Sequence, residues 1–137
     1  MKKIFTLFIW LLLLPVTALA ADTNTVYVGG VELVGSHDNI VYATTNESGE
    51  VITNDADADN YNIKWDGSTL TLRNATIKES VSTDTSTFIA GAAIGVLNQN
   101  GDANLTITLE GTNTIAEVGK GIYVLASSTS EATLTIT

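Results

Sequence analysis

Apolar and polar residues alternate along three segments of the chain, and this alternation predicts β-strands that each bury one face. The segments are GSTLTLRNATI at residues 67–77, ANLTITLEGTNTI at residues 103–115 and ATLTIT at residues 132–137. In the first segment Leu70 and Leu72 fall on one face, and the neighbouring threonines fall on the other. Thr suits the solvated face of a strand because its branched side chain favours extended backbone.

The chain before the first segment predicts a short antiparallel meander, assigned to residues 21–66. Gly29-Gly30 separates two short apolar runs, which is typical of a tight β-hairpin. Residues 61–65 alternate again, and Asp66-Gly67 predicts a second two-residue hairpin. These turns would lead the meander directly into the first of the three segments.

Two pairs of segments recur at a nearly constant distance. GAAIGVL at residues 91–97 matches GKGIYVL at residues 119–125, which begins 28 residues later. ANLTIT at residue 103 matches ATLTIT at residue 132, which begins 29 residues later. Several short strands in a period of about 30 residues are typical of a solenoid, because each coil buries its apolar face only by stacking on the next.

The sequence therefore predicts an all-β fold, a right-handed parallel β-helix (β-solenoid) whose incomplete coils occupy residues 67–137. Leu70 and Leu105 are 35 residues apart, so we expect a longer insertion in this coil, within residues 79–86. A two-sheet sandwich is the competing fold, since it also consists of short, evenly spaced strands.

Two features concern the bends and the end of the coils. Asn74 and Asn113 precede Ile77 and Ile115 in similar settings, and we expect their amides to satisfy backbone groups at bends. Thr137 lies in or directly after a strand, without a polar cap. We expect the chain to be truncated here, with downstream coils or a partner chain covering the C-terminal edge.

The motifs VYVGGVEL, YNIKWDGSTLTLRNATI, GIYV and LTITLEGTNTI together resemble those of a class of secreted bacterial right-handed β-helix proteins. Members of this class are often described as carbohydrate-binding-domain-containing or as uncharacterised surface proteins. The resemblance extends from Val26 to the end of the chain. It implies an extracellular β-helix that binds carbohydrate, but its motifs mark coils and match no ligand residue.

The first twenty residues have the pattern of a signal peptide. Lys2 and Lys3 precede an apolar run at residues 4–16, and Ala18-Leu19-Ala20 is a small-x-small cleavage site. We expect cleavage after Ala20 and a secreted, extracellular or cell-surface location in a bacterium. No second apolar run follows, so no membrane span is expected after cleavage.

The net charge limits the classes of binding partner, and the absence of Cys limits the covalent links that the chain can form. Residues 21–137 hold four basic and all fifteen acidic side chains, a net charge of −11. This balance argues against nucleic acid or an anionic bilayer as a partner, because both would be repelled. It permits neutral glycans, cations or basic surfaces. The chain contains no Cys, so neither a disulfide nor a lipid attached to Cys is available.

The residues offer little for catalysis, and the sequence predicts a protein that is not an enzyme and has no catalytic residues. His37 is the only His, and it lies in a polar turn. A calcium-dependent polysaccharide lyase is the enzyme alternative, since such chemistry needs clustered carboxylates and a base. The basic residues available after the leader are Lys64, Arg73, Lys78 and Lys120.

An acidic segment carries the one candidate metal site. Four carboxylates fall at positions one, three, five and twelve of an EF-hand-like spacing; they are Asp55, Asp57, Asp59 and Asp66. Asn60 stands where that loop needs Gly, and Asp66 is shorter than the usual Glu. A solvated acidic loop is the alternative, and no cofactor other than calcium is suggested.

Aromatic side chains are the candidate sugar-binding groups, because a ring offers a flat apolar surface for a sugar ring. The candidate ligand-binding residues are Tyr61, Trp65 and Tyr123. Alternation with Ile63 would instead point Tyr61 and Trp65 inward. Other aromatic residues considered for this role are Tyr27, Tyr42 and Phe88.

Taken together, these patterns predict a non-enzymatic, secreted or surface-exposed scaffold that binds an extracellular polysaccharide or another cell-surface component. One alternative is a structural stalk or adhesin module without a small ligand. The other is the lyase fragment. An exposed aromatic row would favour binding, uniform Thr and Asn faces would favour the stalk, and a groove with Asp residues and Arg73 would favour the lyase.

Overall fold

The computed structural model describes residues 25–137, which form twelve β-strands and no helix. The predicted signal peptide at residues 1–20 lies outside the described residues. No helix long and apolar enough to span a membrane occurs within residues 25–137. The strands are β1 Thr25–Val28, β2 Val31–Leu33, β3 Val41–Thr45, β4 Val51–Ile52, β5 Ile63–Trp65, β6 Thr69–Arg73, β7 Thr76–Ile77, β8 Ala92–Asn98, β9 Ala103–Glu110, β10 Thr114–Ile115, β11 Lys120–Ala126 and β12 Ala132–Ile136.

The strands form three sheets, which confirms the all-β class. The four-stranded sheet has the order β11-β8-β1-β2, the six-stranded sheet has the order β12-β9-β6-β5-β3-β4, and β10 pairs with β7 in the third. All pairs among β6 to β12 are parallel, whereas every pair that involves β1 to β5 is antiparallel. The two larger sheets are therefore mixed, and the parallel β-helix stays a prediction.

Both predicted hairpins form, the second with a shifted turn. Gly29 and Gly30 connect β1 to β2 with φ angles of 55° and 78°, a conformation that suits glycine. In the second hairpin the backbone N–H of Asp66 donates to the carbonyl of Thr69, so Gly67 and Ser68 are the central residues. The turn thus lies one residue later than predicted, because Asp66 caps it instead of occupying its centre.

The parallel pairs align apolar residues of successive coils. Ile94 on β8 lies opposite Ile122 on β11, at the distance predicted from the sequence. The earlier pair differs from the prediction, since Leu70 lies opposite Ile107 and not Leu105. Pairing of Leu70 with either Leu105 or Ile107 keeps apolar side chains on the inner face, because a shift of two residues leaves the alternation unchanged. Periodicity in the sequence therefore cannot distinguish these two registers.

The predicted insertion lies in the connection between β7 and β8. This connection comprises residues 78–91, whereas the equivalent connection between β10 and β11 comprises only residues 116–119. The prediction of additional residues within 79–86 is therefore confirmed. The additional length lets the segment fold back over the sheet.

The core lies between the inner faces of the sheets and is apolar. Ile63 and Trp65 of β5, Leu70 of β6 and Ile94 of β8 are all fully buried. Their burial follows from strand alternation, which turns the polar neighbours to the opposite face. Thr71, the neighbour of Leu70 on that face, is only 6% exposed, so the expectation of a solvated position is wrong there. The prediction that Trp65 points inward with Ile63 is thus confirmed.

One edge of the fold is open within the described residues. β10, β11 and β12 each pair with a strand on one side only. Leu134 and Ile136 on β12 are 43% and 51% exposed, although they alternate like core residues. An apolar cavity of about 190 Å³, lined among others by Ile115, Ile122 and Ile136, lies at this edge.

Candidate functional site

The connection between β7 and β8 forms a strap, defined as residues 81–91, on the outer face of the four-stranded sheet. The backbone N–H of Gly91 donates to the carbonyl of Val81, and the N–H of Val81 donates to the carbonyl of Ala92, at 2.8 and 2.9 Å. These bonds close the strap at its base. Val81 and Ile89 are buried, whereas Phe88 is 56% exposed. The strap is therefore fixed by two apolar anchors and presents an aromatic ring to solvent.

Gly95 creates the space in which the strap packs. It lies opposite Tyr27 of β1 on one side and Tyr123 of β11 on the other, so the three share the outer face. A Cβ atom at Gly95 would lie 2.9 Å from Cδ1 of Ile89. Glycine at this position thus allows Ile89 to pack directly on the sheet between two tyrosines.

A groove of three adjoining pockets runs beside the strap, and Leu97 and Gln99 line all three. The first pocket, about 290 Å³, is also lined by Tyr27 and by the turn that follows β8. The second, about 380 Å³, lies between Tyr27 and strap residues 83–88. The third, about 520 Å³, extends from Phe88 to Leu125 and the two serines after β11. One aromatic ring therefore stands at each junction between pockets.

Amide and hydroxyl groups surround these rings. The side chain of Asn98 is occupied by its own turn, because Nδ2 donates to the carbonyl of Asp102 and Oδ1 accepts from the N–H of Asn100, at 2.8 and 3.0 Å. The amide of Gln99 makes no hydrogen bond within residues 25–137, and its side chain is exposed. Gln99 can therefore both donate to and accept from a ligand.

Two hydroxyl groups add to the polar character of the groove. Burial raises the pKa of Tyr27, with a further contribution from the nearby carboxylate of Glu32, so its hydroxyl stays protonated at neutral pH and can donate. The hydroxyl of Ser86, which belongs to the second pocket, is buried without a hydrogen-bond partner among the described residues. Of residues 25–137, Asp84 is the one charged residue that lines the three pockets.

The structure distributes the three predicted ligand residues over different places. Trp65 is fully buried, so its assignment as a ligand residue is wrong. Tyr123 is 36% exposed on the same sheet as the groove but does not line the pockets. The ammonium group of Lys120 lies 4.8 Å from the centre of the Tyr123 ring and donates to the carbonyl of Ala90 in the strap. Tyr123 thus lies near the strap through Lys120 but does not line the groove.

Tyr61 belongs to a separate cluster on the six-stranded sheet. Its ring centre lies 5.4 Å from that of Tyr42, and the guanidinium carbon of Arg73 lies 4.1 Å above it. Arg73 also donates from Nη2 to the backbone carbonyl of Tyr61, at 3.1 Å. The alternative that Tyr61 points inward with Ile63 is wrong, because Tyr61 precedes β5 and does not follow its alternation. The cluster fastens the loop before β5 to the sheet.

The four predicted calcium ligands are not brought together. Oδ1 of Asp57 accepts from the backbone N–H groups of Asp59 and Asn60, and Oδ1 of Asp66 accepts from those of Ser68 and Thr69. Across residues 25–137, no three His, Cys, Asp or Glu side chains form a group that could hold a metal ion. The EF-hand-like spacing, which also included Asp55, is corrected accordingly, since Asp57 and Asp66 each cap their own turn.

The groove was only partly visible in the sequence. Tyr27 and Phe88 are among the aromatic candidates, and the sequence predicts the insertion within residues 79–86, but it does not identify Leu97 or Gln99 as binding residues. A signal is present, because aligning residues 91–97 with 119–125 places Gly95 opposite Tyr123, and the longer connection before residue 91 contains Phe88. The alignment does not show over which face of the sheet this longer connection folds.

No protein-family model, curated protein or solved structure matches the chain, so the function of the groove is argued from its geometry and chemistry alone.

Proposed function

We propose that the protein is a non-enzymatic, secreted or surface-exposed right-handed β-helix scaffold that binds extracellular carbohydrate in the groove beside the strap. The parallel pairing of β6 with β9 and β12, of β7 with β10 and of β8 with β11 supports the β-helix. Three separate parallel stacks are what two successive three-sided coils and the start of a third would produce.

The observation that carries the proposal is the position of two aromatic rings at the junctions of the pockets, next to the free amide of Gln99. A sugar ring has an apolar face of C–H groups and an edge of hydroxyl groups. The rings of Tyr27 and Phe88 suit the face, and amide and hydroxyl groups suit the edge. The exposed ring of Phe88 would gain most, because it is the least covered before binding.

The lining of the groove favours binding over catalysis. Among the described residues, no Lys, Arg or His lines the three pockets, and Asp84 has no second carboxylate beside it there. Glycoside hydrolysis ordinarily needs a pair of carboxylates, and lyase chemistry needs a base. Arg73, the residue considered for a lyase, lies on the six-stranded sheet and stacks on Tyr61.

Affinity electrophoresis tests this proposal. The chain from residue 21 onward is run in gels containing hydroxyethylcellulose, xylan, galactomannan or polygalacturonate. We expect retardation by at least one polysaccharide without release of reducing ends. Phe88→Ala should abolish most of the retardation, whereas Val34→Ala, which truncates a similarly exposed apolar residue outside the groove, should not. Equal retardation of Phe88→Ala, or no retardation of a folded protein by any polysaccharide, would overturn it.

A structural stalk or adhesin module is the second candidate, and the open edge of β10, β11 and β12 favours it. Exposed Leu134 and Ile136 and the unpaired strand edges would be covered if further coils or a partner chain stacked there. The same gels distinguish the two functions, because a module that only extends or connects would migrate equally in all of them. If the stalk or adhesin function holds, Ile136→Lys should disrupt any self-association measured by sedimentation. If carbohydrate binding is the function, Ile136→Lys should leave that binding intact.

A further inference from the structure

We infer that the groove binds an internal stretch of a linear, uncharged polysaccharide that lies across the strands; this inference rests on the proposed carbohydrate-binding function. It specifies the shape, charge and direction of the ligand. Each of these properties follows from a different feature of the groove.

The direction follows from the strand register. Thr25 of β1, Leu97 of β8 and Leu125 of β11 lie opposite one another in adjacent strands of one sheet. The first pocket includes Thr25, the third includes Leu125, and Leu97 lines both. Adjacent strands are about 4.8 Å apart, so the floor of the groove crosses two such intervals at right angles to the strands. A ligand that fills the groove must therefore be elongated.

The linear, internal character of the ligand follows from the ends of the groove. Within the described part of the chain, Asn100 at one end and Ser128 at the other are exposed polar residues, and neither end is closed by a large side chain. A pocket for a chain terminus would have a wall at one end. The rings of Tyr27 and Phe88 stand between consecutive pockets, so successive sugar units would occupy successive pockets.

The absence of ligand charge follows from the lining and from the net charge. Of the residues that the structure describes, no basic side chain in the pockets could pair with a carboxylate or sulfate group, and Asp84 would repel one. The formal net charge of −11 on residues 21–137 adds repulsion at longer range. A neutral polymer avoids repulsion both by Asp84 and by the net charge. The amide of Gln99 and the strap hydroxyls can form hydrogen bonds with the hydroxyl groups of such a polymer.

The test uses a series from disaccharide to hexasaccharide of cello-, xylo- and manno-oligosaccharides, with binding measured by isothermal titration calorimetry on the chain from residue 21 onward. For the series that binds, we expect affinity to rise about tenfold or more between disaccharide and tetrasaccharide and then to level off. Reduction of the terminal sugar should leave the affinity of the longer oligosaccharides unchanged. Polygalacturonate should not retard the protein even at low salt, where electrostatic effects are strongest.

A variant that blocks one pocket sharpens the test. Ser128→Trp places a large ring in the third pocket and should lower the affinity for the hexasaccharide and reduce the gain in affinity from disaccharide to tetrasaccharide. A disaccharide that binds as tightly as the hexasaccharide, a need for the reducing end, or preference for polygalacturonate would overturn this inference and leave the proposed function standing. No binding of any polysaccharide by the folded protein would overturn both.

Discussion

Oδ1 of Asn113 accepts a hydrogen bond from the backbone N–H of Ala75 in the preceding bend, at 2.9 Å. The reciprocal hydrogen bond also forms, since Oδ1 of Asn74 accepts from the backbone N–H of Thr112, at 3.0 Å. Asn113 also donates from Nδ2 to the carbonyl of Glu110. The two bends thus satisfy each other's backbone groups, as the sequence predicted for Asn74 and Asn113, and this links one coil to the next.

Replacement of Asn113 by Ala should destabilise the fold by about 1–3 kcal/mol, because the N–H of Ala75 would lose its acceptor in a partly buried bend. Urea denaturation followed by circular dichroism measures this change. Asn54→Ala removes an exposed asparagine from a loop and should change stability by less than about 0.5 kcal/mol. Equal midpoints for Asn113→Ala and the unsubstituted protein would contradict the role of this bond.

The sequence predicted the features that depend on neighbours along the chain. Alternation identified the inner faces of β5 and β6, paired glycines identified the turn between β1 and β2, and the recurring segments identified the register of β8 with β11. Each of these features has a local cause, such as side-chain direction or a positive φ angle. Local causes can be read from a sequence without knowing what packs against it.

Features that depend on distant contacts were not predictable in the same way. Tyr61 lies just outside β5, so its direction is set by Tyr42 and Arg73 and not by alternation. The acidic spacing looked like a calcium loop, but Asp57 and Asp66 satisfy their own turns. The groove exists because Gly95 lets the strap pack on the sheet, which is a property of the packed fold.

Replacement of Gly95 by Val should displace the strap. The new side chain would collide with Ile89, since even a Cβ atom would lie 2.9 Å from its Cδ1 atom. We expect a loss of about 1–3 kcal/mol of stability from overpacking, faster proteolysis within residues 82–88, and weaker retardation by any polysaccharide that the unsubstituted protein binds. Limited proteolysis with mass spectrometry locates the cleavage.

Gly121→Val is the matched control for this experiment. Gly121 lies on the neighbouring strand β11, and a Cβ atom there would meet nothing within 4 Å. Proteolysis of the strap and polysaccharide binding should therefore stay unchanged in Gly121→Val. A strap that remains protected in Gly95→Val, or becomes equally sensitive in both variants, would show that contact with Gly95 does not position it.

Asp66 should make stability depend on pH in the acid range. Burial acts to raise its pKa, but hydrogen bonds from the backbone of Thr69 and from Ser68, with the charge of Lys64, outweigh burial and lower the pKa below its usual value. The ionised carboxylate therefore stabilises the fold above the unfolded-state pKa of about 4. This contribution is lost as the pH falls through the lower, folded-state pKa.

The corresponding measurement compares urea midpoints at pH 7 and pH 3 for the unsubstituted protein, Asp66→Asn and Asp66→Ala. At pH 7 Asp66→Ala should lose about 1 kcal/mol or less, because solvent screens this partly exposed turn. Asp66→Asn keeps an oxygen acceptor and should lose less. The difference between the unsubstituted protein and Asp66→Asn should shrink at pH 3. A difference that grows on acidification would show that the pKa of Asp66 is raised by folding and not lowered.

Trp65 should report on the core and remain insensitive to carbohydrate. It is the only Trp among the described residues, it is fully buried, and its indole Nε1 has no hydrogen-bond partner there. Its fluorescence should therefore be blue-shifted, poorly quenched by acrylamide, and unchanged by polysaccharides that bind in the groove. Trp65→Phe should cost much less stability than Trp65→Ala, for which about 3–5 kcal/mol is expected, because Phe fills most of the volume and no hydrogen bond is lost. Quenching of Trp65 by a bound oligosaccharide would instead place the ligand against β5 and contradict the groove as the binding site.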